Sequence, residues 1–171
     1  MVALGPVDVL VLLKLIPQQG RSWTQPEIAS SLFISQSMVS RALKTAEELS
    51  LYRPATRRIH GRALEEALVH GARYFLGANR GGEVRGIPTA WAAPPLVGEI
   101  AASDLLPPVW PDPQGNVRGL SVEPLHSNVP KAAKLDHELY ELLALLDALR
   151  IGGPREAGLA AKVLHKRLNL E

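Results

Sequence analysis

Apolar residues recur at helical spacing along much of this chain, and most of these stretches carry their own start or stop signals. Val9, Leu12, Leu13 and Ile16 make a first helix over residues 6–16. Thr24 is an N-cap candidate, with Pro26 in the first turn and Glu27 placed to close a capping box. Ile28, Ala29 and Leu32 follow on one face. The chain then turns at Phe33 and Ile34, and Ser35 is the next N-cap candidate. Val39, Ala42, Leu43 and Ala46 line one side of the helix that it starts. The other side shows Gln36, Ser37, Ser40, Arg41 and Lys44. Leu51 and Tyr52 predict a short strand, and residues 53–60 a short hairpin or loop, with residues 21–23 as a strand to pair with it. Residues 62–76 predict another helix, with Leu64, Leu68 and Phe75 at its apolar positions.

The pattern changes over residues 77–130. Glycines cluster at 77, 81, 82 and 86, and most of the prolines fall between 88 and 130. Residues 87–96 are apolar without any period, so they must wrap a core or present an adhesive surface. A short helix is expected over residues 96–102, and a hairpin from Val109-Trp110 through a turn at residues 112–115 to residues 117–122. The glycine cluster lacks the Lys-Ser/Thr pair of a phosphate loop. Beyond it, Asp136 can cap a helix carrying Leu139, Leu142, Leu143, Leu146 and Leu149. Gly152 and Gly153 end it, and Pro154 opens a last helix with Leu159, Val163, Leu164 and Leu168. The expected fold is mostly α, in three parts: residues 1–76, an irregular Pro/Gly-rich arm over 77–130, and a helical hairpin over 131–171.

Charge sharpens this picture. The net charge is only +2, but residues 20–62 hold seven Lys/Arg against three Glu. Residues 76–171 hold ten basic and eleven acidic side chains. The basic excess therefore sits on the segment that contains the polar helix face. Cysteine is absent, which excludes disulfides and thiolate metal sites. The apolar run at residues 9–13 falls far short of the roughly 20 residues that span a membrane. No positive leader precedes it, so a cytoplasmic protein without a signal peptide is expected. His60, His70, His126, His137 and His165 are scattered, and no paired-carboxylate or nucleophile motif appears. Neither catalysis nor a metal nor a cofactor is expected.

Residues 27–43 in particular resemble the helix-turn-helix of bacterial winged-helix transcription regulators, and are close in pattern to MarR-type domains. Ala29 stands where the two helices would cross, and Ile28, Leu32, Ile34 and Val39 fill the buried positions. One residue departs from the pattern: Phe33 occupies the place where many such turns carry Gly. The resemblance covers the N-terminal part of the chain only. It implies a winged helix-turn-helix with residues 53–60 as the wing, and a dimer built through helices outside the reading head.

Ser35, Gln36, Ser37, Ser40, Arg41 and Lys44 on the second helix, with Arg53, Arg57, Arg58 and Arg62 around the wing, are the candidate DNA-binding residues. Short or forked hydrogen-bonding groups suit base edges, and cations suit phosphate. The function expected is sequence-specific binding of double-stranded DNA as a transcriptional regulator, most simply a repressor. A homodimer is expected to form through Leu139, Leu142, Leu146 and Leu149, or through the first helix near Val9 and Leu13. The alternative is a protein-interaction module, such as the antitoxin of a toxin–antitoxin pair. It would hold a partner protein through residues 88–110 and the C-terminal helices.

Overall fold

The computed structural model describes residues 1–100 and 105–170. Seven α-helices and five short strands make up the described part of the chain, which is α-rich. The first helix, α1 (Pro6–Leu15), is apolar on all sides, and Val9 through Leu13 are fully buried. A helix of that kind has to be covered on every face. The helices α2 (Gln25–Leu32), α3 (Gln36–Glu48) and α6 (His137–Ile151) all pack against it.

Local chemistry sets the ends of these helices. The Glu27 backbone N–H donates to Thr24 Oγ1 at 3.3 Å, and the Thr24 N–H to Glu27 Oε2 at 2.9 Å. This is the expected capping box, satisfying two orphan donors at once. The Met38 N–H donates to Ser35 Oγ at 3.2 Å, so Ser35 caps α3. Between the helices Phe33 takes the left-handed conformation, φ 56° and ψ 39°. That region disfavours a bulky residue.

Strands β1 (Tyr52–Arg53) and β2 (Arg58–Ile59) form a two-residue antiparallel ribbon after α3. The strand expected at residues 21–23 is absent. The chain turns over there through Gly20, at φ +80°, which leaves no length for a ladder. Side chains make the link instead. The Ile59 N–H donates to Gln19 Oε1 at 3.0 Å, and an Arg57 guanidinium N–H to the Trp23 carbonyl at 2.7 Å. The chain then enters α4 (Gly61–Phe75), the helix expected there.

Residues 77–130 are more regular than their composition implied. Strand β3 (Arg80–Pro88) pairs antiparallel with both β4 (Pro108–Pro111) and β5 (Val117–Val122), and the three close on one another. Where β4 meets β5 they run parallel, so the expected hairpin is corrected: its two arms are not antiparallel neighbours. Glycine allows so tight a closure. A Cβ on Gly86 would lie 2.0 Å from the Trp110 carbonyl oxygen, and one on Gly119 2.1 Å from that of Pro107. The helix expected over residues 96–102 is a run of turns through Glu99, and Ala101 and Ala102 lie outside the described residues. Ala90, Ala93, Leu96, Val109 and Trp110 are buried, so this segment wraps the core.

A short helix, α5 (Val129–Leu135), comes next and leads into the C-terminal pair α6 and α7 (Pro154–Arg167). Helix α6 is central. It touches α1, α4, α5, α7 and the single turn of 3₁₀ helix at Ala90–Ala92. Leu139, Leu142, Leu143, Leu145, Leu146 and Leu149 are all buried within the chain. The leucine stripe and the first helix were the two expected dimer surfaces, and both are core. A two-helix hairpin alone could not bury the stripe; α1, α4 and the β3–β4 connection cover it within the chain. One hydrophobic cluster runs from Val9 to Leu168 through all three segments.

One ion pair binds this core across a long sequence separation. Lys14 Nζ meets Asp136 Oδ2 at 2.5 Å, while Asp136 Oδ1 accepts from the Leu139 N–H at 3.1 Å. Burial raises the Asp136 carboxyl, but the Lys14 ammonium and the N–H groups of Leu139 and Glu138 outweigh it and hold it below the usual range. A carboxylate depressed in the folded state stabilises above its unfolded pKa, about 3.9, and that contribution is lost as pH falls through the lower folded value. The acid limb of the stability profile, below about pH 4, is therefore expected to flatten in Asp136→Asn. Urea midpoints near neutrality and in mild acid, for wild type and variant, check this. Equal acid sensitivity in the two proteins would dismiss the pair as the cause.

Candidate nucleic-acid interface

The two helices α2 and α3 cross with Ile28, Ala29, Leu32, Val39, Ala42 and Leu43 buried between and beneath them. Burying these residues leaves the opposite face of α3 to solvent. Gln36, Ser37, Ser40, Arg41 and Lys44 are all exposed. The two acidic residues of α3, Glu47 and Glu48, stand at its C-terminal end. The N-terminal half, the part of a recognition helix that contacts base edges, thus carries amide, hydroxyl and guanidinium groups and no carboxylate.

Ser35 is exposed as well, but its hydroxyl is committed to the Met38 N–H and lies 3.0 Å from Ser37 Oγ. It shapes the start of α3 more than it offers a free group. Beyond α3, the Leu51 N–H donates to the Ala46 carbonyl at 2.7 Å and the His60 N–H to that of Leu51 at 2.8 Å. These bonds fasten the β1–β2 ribbon to the end of α3. Arg53 and Arg58 face each other in its register, both exposed. Like charges directly opposite on a ribbon repel, an arrangement relieved when an anion lies between them. Arg62 is exposed in the first turn of α4.

Arg57 is different. Its guanidinium carbon stands 3.9 Å above the centre of the Trp23 ring, in addition to the bond to the Trp23 carbonyl. Its own backbone is left-handed, at φ 55°. Arg57 therefore straps the ribbon to the start of α2, and its charge is partly occupied. Among the described residues, none of the seven ion pairs involves Arg41, Lys44, Arg53, Arg57, Arg58 or Arg62. Of the exposed cations elsewhere, Arg118 and Lys134 have carboxylate partners, whereas Arg80, Arg85, Arg155, Lys162 and Lys166 enter none of these pairs but are divided between β3 and α7.

Sequence reasoning missed two residues beside this surface. Asn128 Nδ2 donates to the Phe33 carbonyl at 2.7 Å, and Lys131 Nζ lies 4.0 Å from the centre of the Phe33 ring. Both come from the start of α5, nearly a hundred positions further along the chain, and nothing in their local pattern signals it. They hold the turn in which Phe33 is left-handed.

The described residues contain no cluster of three His, Asp or Glu side chains placed to hold a metal ion, and no helix long and apolar enough to cross a membrane. No protein-family model matches the chain, and neither a curated protein nor a solved structure is detectably similar to it.

Proposed function

We propose that this chain is a sequence-specific double-stranded DNA-binding transcriptional regulator of the winged helix-turn-helix type. In this reading α3 is the recognition helix and the β1–β2 ribbon is the wing. One observation carries the reading: Arg41, Lys44, Arg53, Arg58 and Arg62 are exposed and without a carboxylate partner among the described residues, around a helix face of amides and hydroxyls. Cations kept free of carboxylates are available to displace counterions from a duplex. Repression is the simplest mode, because it needs only occupancy of an operator. Such a protein works in the cytoplasm and needs no cofactor.

The test is a salt-titrated binding assay on promoter DNA. Arg53→Ala and Arg58→Ala are each expected to weaken binding to every duplex and to lower the log–log salt slope by roughly 0.9. Gln36→Ala or Ser40→Ala is expected instead to change sequence preference, with about 1–3 kcal/mol lost at one base pair. If all four variants bind like wild type, α2 and α3 are scaffold only.

Two-fold pairing belongs to the same reading, since one recognition helix covers few base pairs and two are needed about one duplex turn apart, roughly 34–36 Å. With the leucine stripe and α1 buried, a different surface has to serve. Val2 and Phe75 are exposed at a cleft of about 480 Å³ whose walls include Leu4, Leu49, Leu51 and Ala63, and Tyr74, next to Phe75 in sequence, is exposed too. A second copy on this face would cover them. Wild type is then expected to sediment as a dimer at tens of micromolar and Tyr74→Glu as a monomer. A wild-type monomer at that concentration removes the dimer from the proposal.

A protein-interaction module, of the antitoxin kind, is the second reading. Its support is the exposed apolar group Val97, Leu105 and Leu106, which with Trp91 borders a cleft of about 680 Å³. Absence of duplex binding even at low salt would put this reading first.

A further inference from the structure

Besides the packing of α6 and α7 on α1 and α4, the C-terminal half of the chain meets the proposed reading head at the Phe33 turn, through α5. Helix α5 packs between α2 and α6, with Val129, Pro130, Ala132 and Ala133 buried. Lys131, between them in sequence, points outward and is exposed. Its ammonium rests 4.0 Å from the Phe33 ring centre, and no ion pair of the described residues includes it. By contrast Lys134, one turn further on, is held by Asp112 at 2.6 Å.

Phe33 stands two residues before Ser35, the cap of α3. Chain geometry keeps their Cα atoms within about 7 Å, which places the Lys131 ammonium within roughly 15 Å of the start of α3. The major groove is about 12 Å wide, so a helix inserted by its first turn brings a cation at that distance to the phosphates along the groove edge. A lysine stem free in solvent loses rotamer freedom when it pairs with phosphate. Here the aromatic ring already holds the ammonium in place, so less freedom remains to be lost.

We propose that α5 is part of the DNA interface: Lys131 contacts a backbone phosphate beside the recognition helix, and Asn128 is a positioning residue that holds the Phe33 carbonyl and hence the turn. This rests on the DNA-binding reading above. It makes the duplex the point where both halves of the chain meet one ligand, although the basic excess of the sequence lies wholly in the first half.

The experiment is fluorescence anisotropy with a labelled random-sequence duplex, titrated between about 50 and 200 mM KCl, on the full chain. Lys131→Met keeps an unbranched, polarisable side chain against the Phe33 ring but removes the charge. It is expected to lower the salt slope by roughly 0.9 and to weaken binding roughly five- to tenfold near 0.1 M salt. Lys131→Arg is expected to retain both, and Lys162→Met, an exposed lysine of α7, to change neither. Thermal melts of each variant report folding. If Lys131→Met melts lower but keeps the wild-type slope, the lysine only braces the turn and the proposal is overturned, while Arg58→Ala still lowering the slope leaves the DNA-binding reading intact. If wild type itself shows no salt-dependent duplex binding, both fall together.

Discussion

Replacing Asp147 by Ala is expected to destabilise the fold by roughly 3–5 kcal/mol, the usual effect of removing one partner from a buried ion pair. Asp147 is 1% exposed and lies toward the C-terminal end of α6. Its Oδ2 accepts from Thr89 Oγ1 at 2.6 Å and from Trp110 Nε1 at 2.7 Å, and its Oδ1 from the Arg150 guanidinium at 2.7 Å. Arg150 also donates to the carbonyls of Leu76 and Glu123. One carboxylate thus ties the three-stranded unit, the end of α4 and α6 together. Burial pushes its carboxyl up, against the pull of Arg150 and of the Thr89 and Trp110 donors. Without it Arg150 is a buried charge with no counter-charge, and the Trp110 N–H loses its acceptor. A lost donor of that kind costs about 1–3 kcal/mol by itself. Asp147→Asn keeps a carbonyl acceptor and is expected to fall between Ala and wild type. Urea unfolding followed by tryptophan fluorescence orders the three proteins. An Ala variant as stable as wild type would mean that the network contributes nothing net.

The pair Leu142→Asp, Leu146→Asp is expected to abolish the fold altogether. Both leucines are at most 2% exposed within a single chain. Each substitution removes a leucine burial worth about 2–5 kcal/mol and puts an unpaired charge in its place. The combined loss reaches the whole stability of an ordinary domain, about 5–15 kcal/mol. Far-UV circular dichroism should therefore lose its helical signal together with any change in sedimentation. A variant that kept its helices and only changed from dimer to monomer would return the stripe to an interface and contradict the buried placement of α6.

Those two outcomes depend on contacts that local sequence does not announce, yet much of the candidate interface was legible. Thr24 with Glu27, Ser35 and Asp136 were readable as caps because a cap acts within three residues of itself. The exposed face of α3 was readable because burying Val39, Ala42, Leu43 and Ala46 turns Gln36, Ser40, Arg41 and Lys44 outward whatever else the chain does. The ribbon after α3 followed from a two-residue strand signal and a turn. Individual roles were less legible. Arg57 looked equivalent to Arg58, and only the Trp23 ring beneath its guanidinium separates them.

What the sequence by itself determined, then, is most of the longer helices, several of their caps and the polar face of α3, all of which depend on interactions within about a turn of helix; the short α5 and the turns over residues 93–99 were not among them. Tertiary structure alone decided which apolar faces are core. Lys14 and Asp136 meet across 122 positions, and Thr89 reaches Asp147 across 58. The leucines of α6 are buried because α1, α4 and the β3–β4 connection converge on them. Strands β4 and β5 run parallel because both are antiparallel to β3, with glycines at the points of closest approach. Periodicity shows that a face must be covered. It does not say by what, because any apolar surface of the right shape satisfies the same hydrophobic demand, and the choice among them is made only when the whole chain packs.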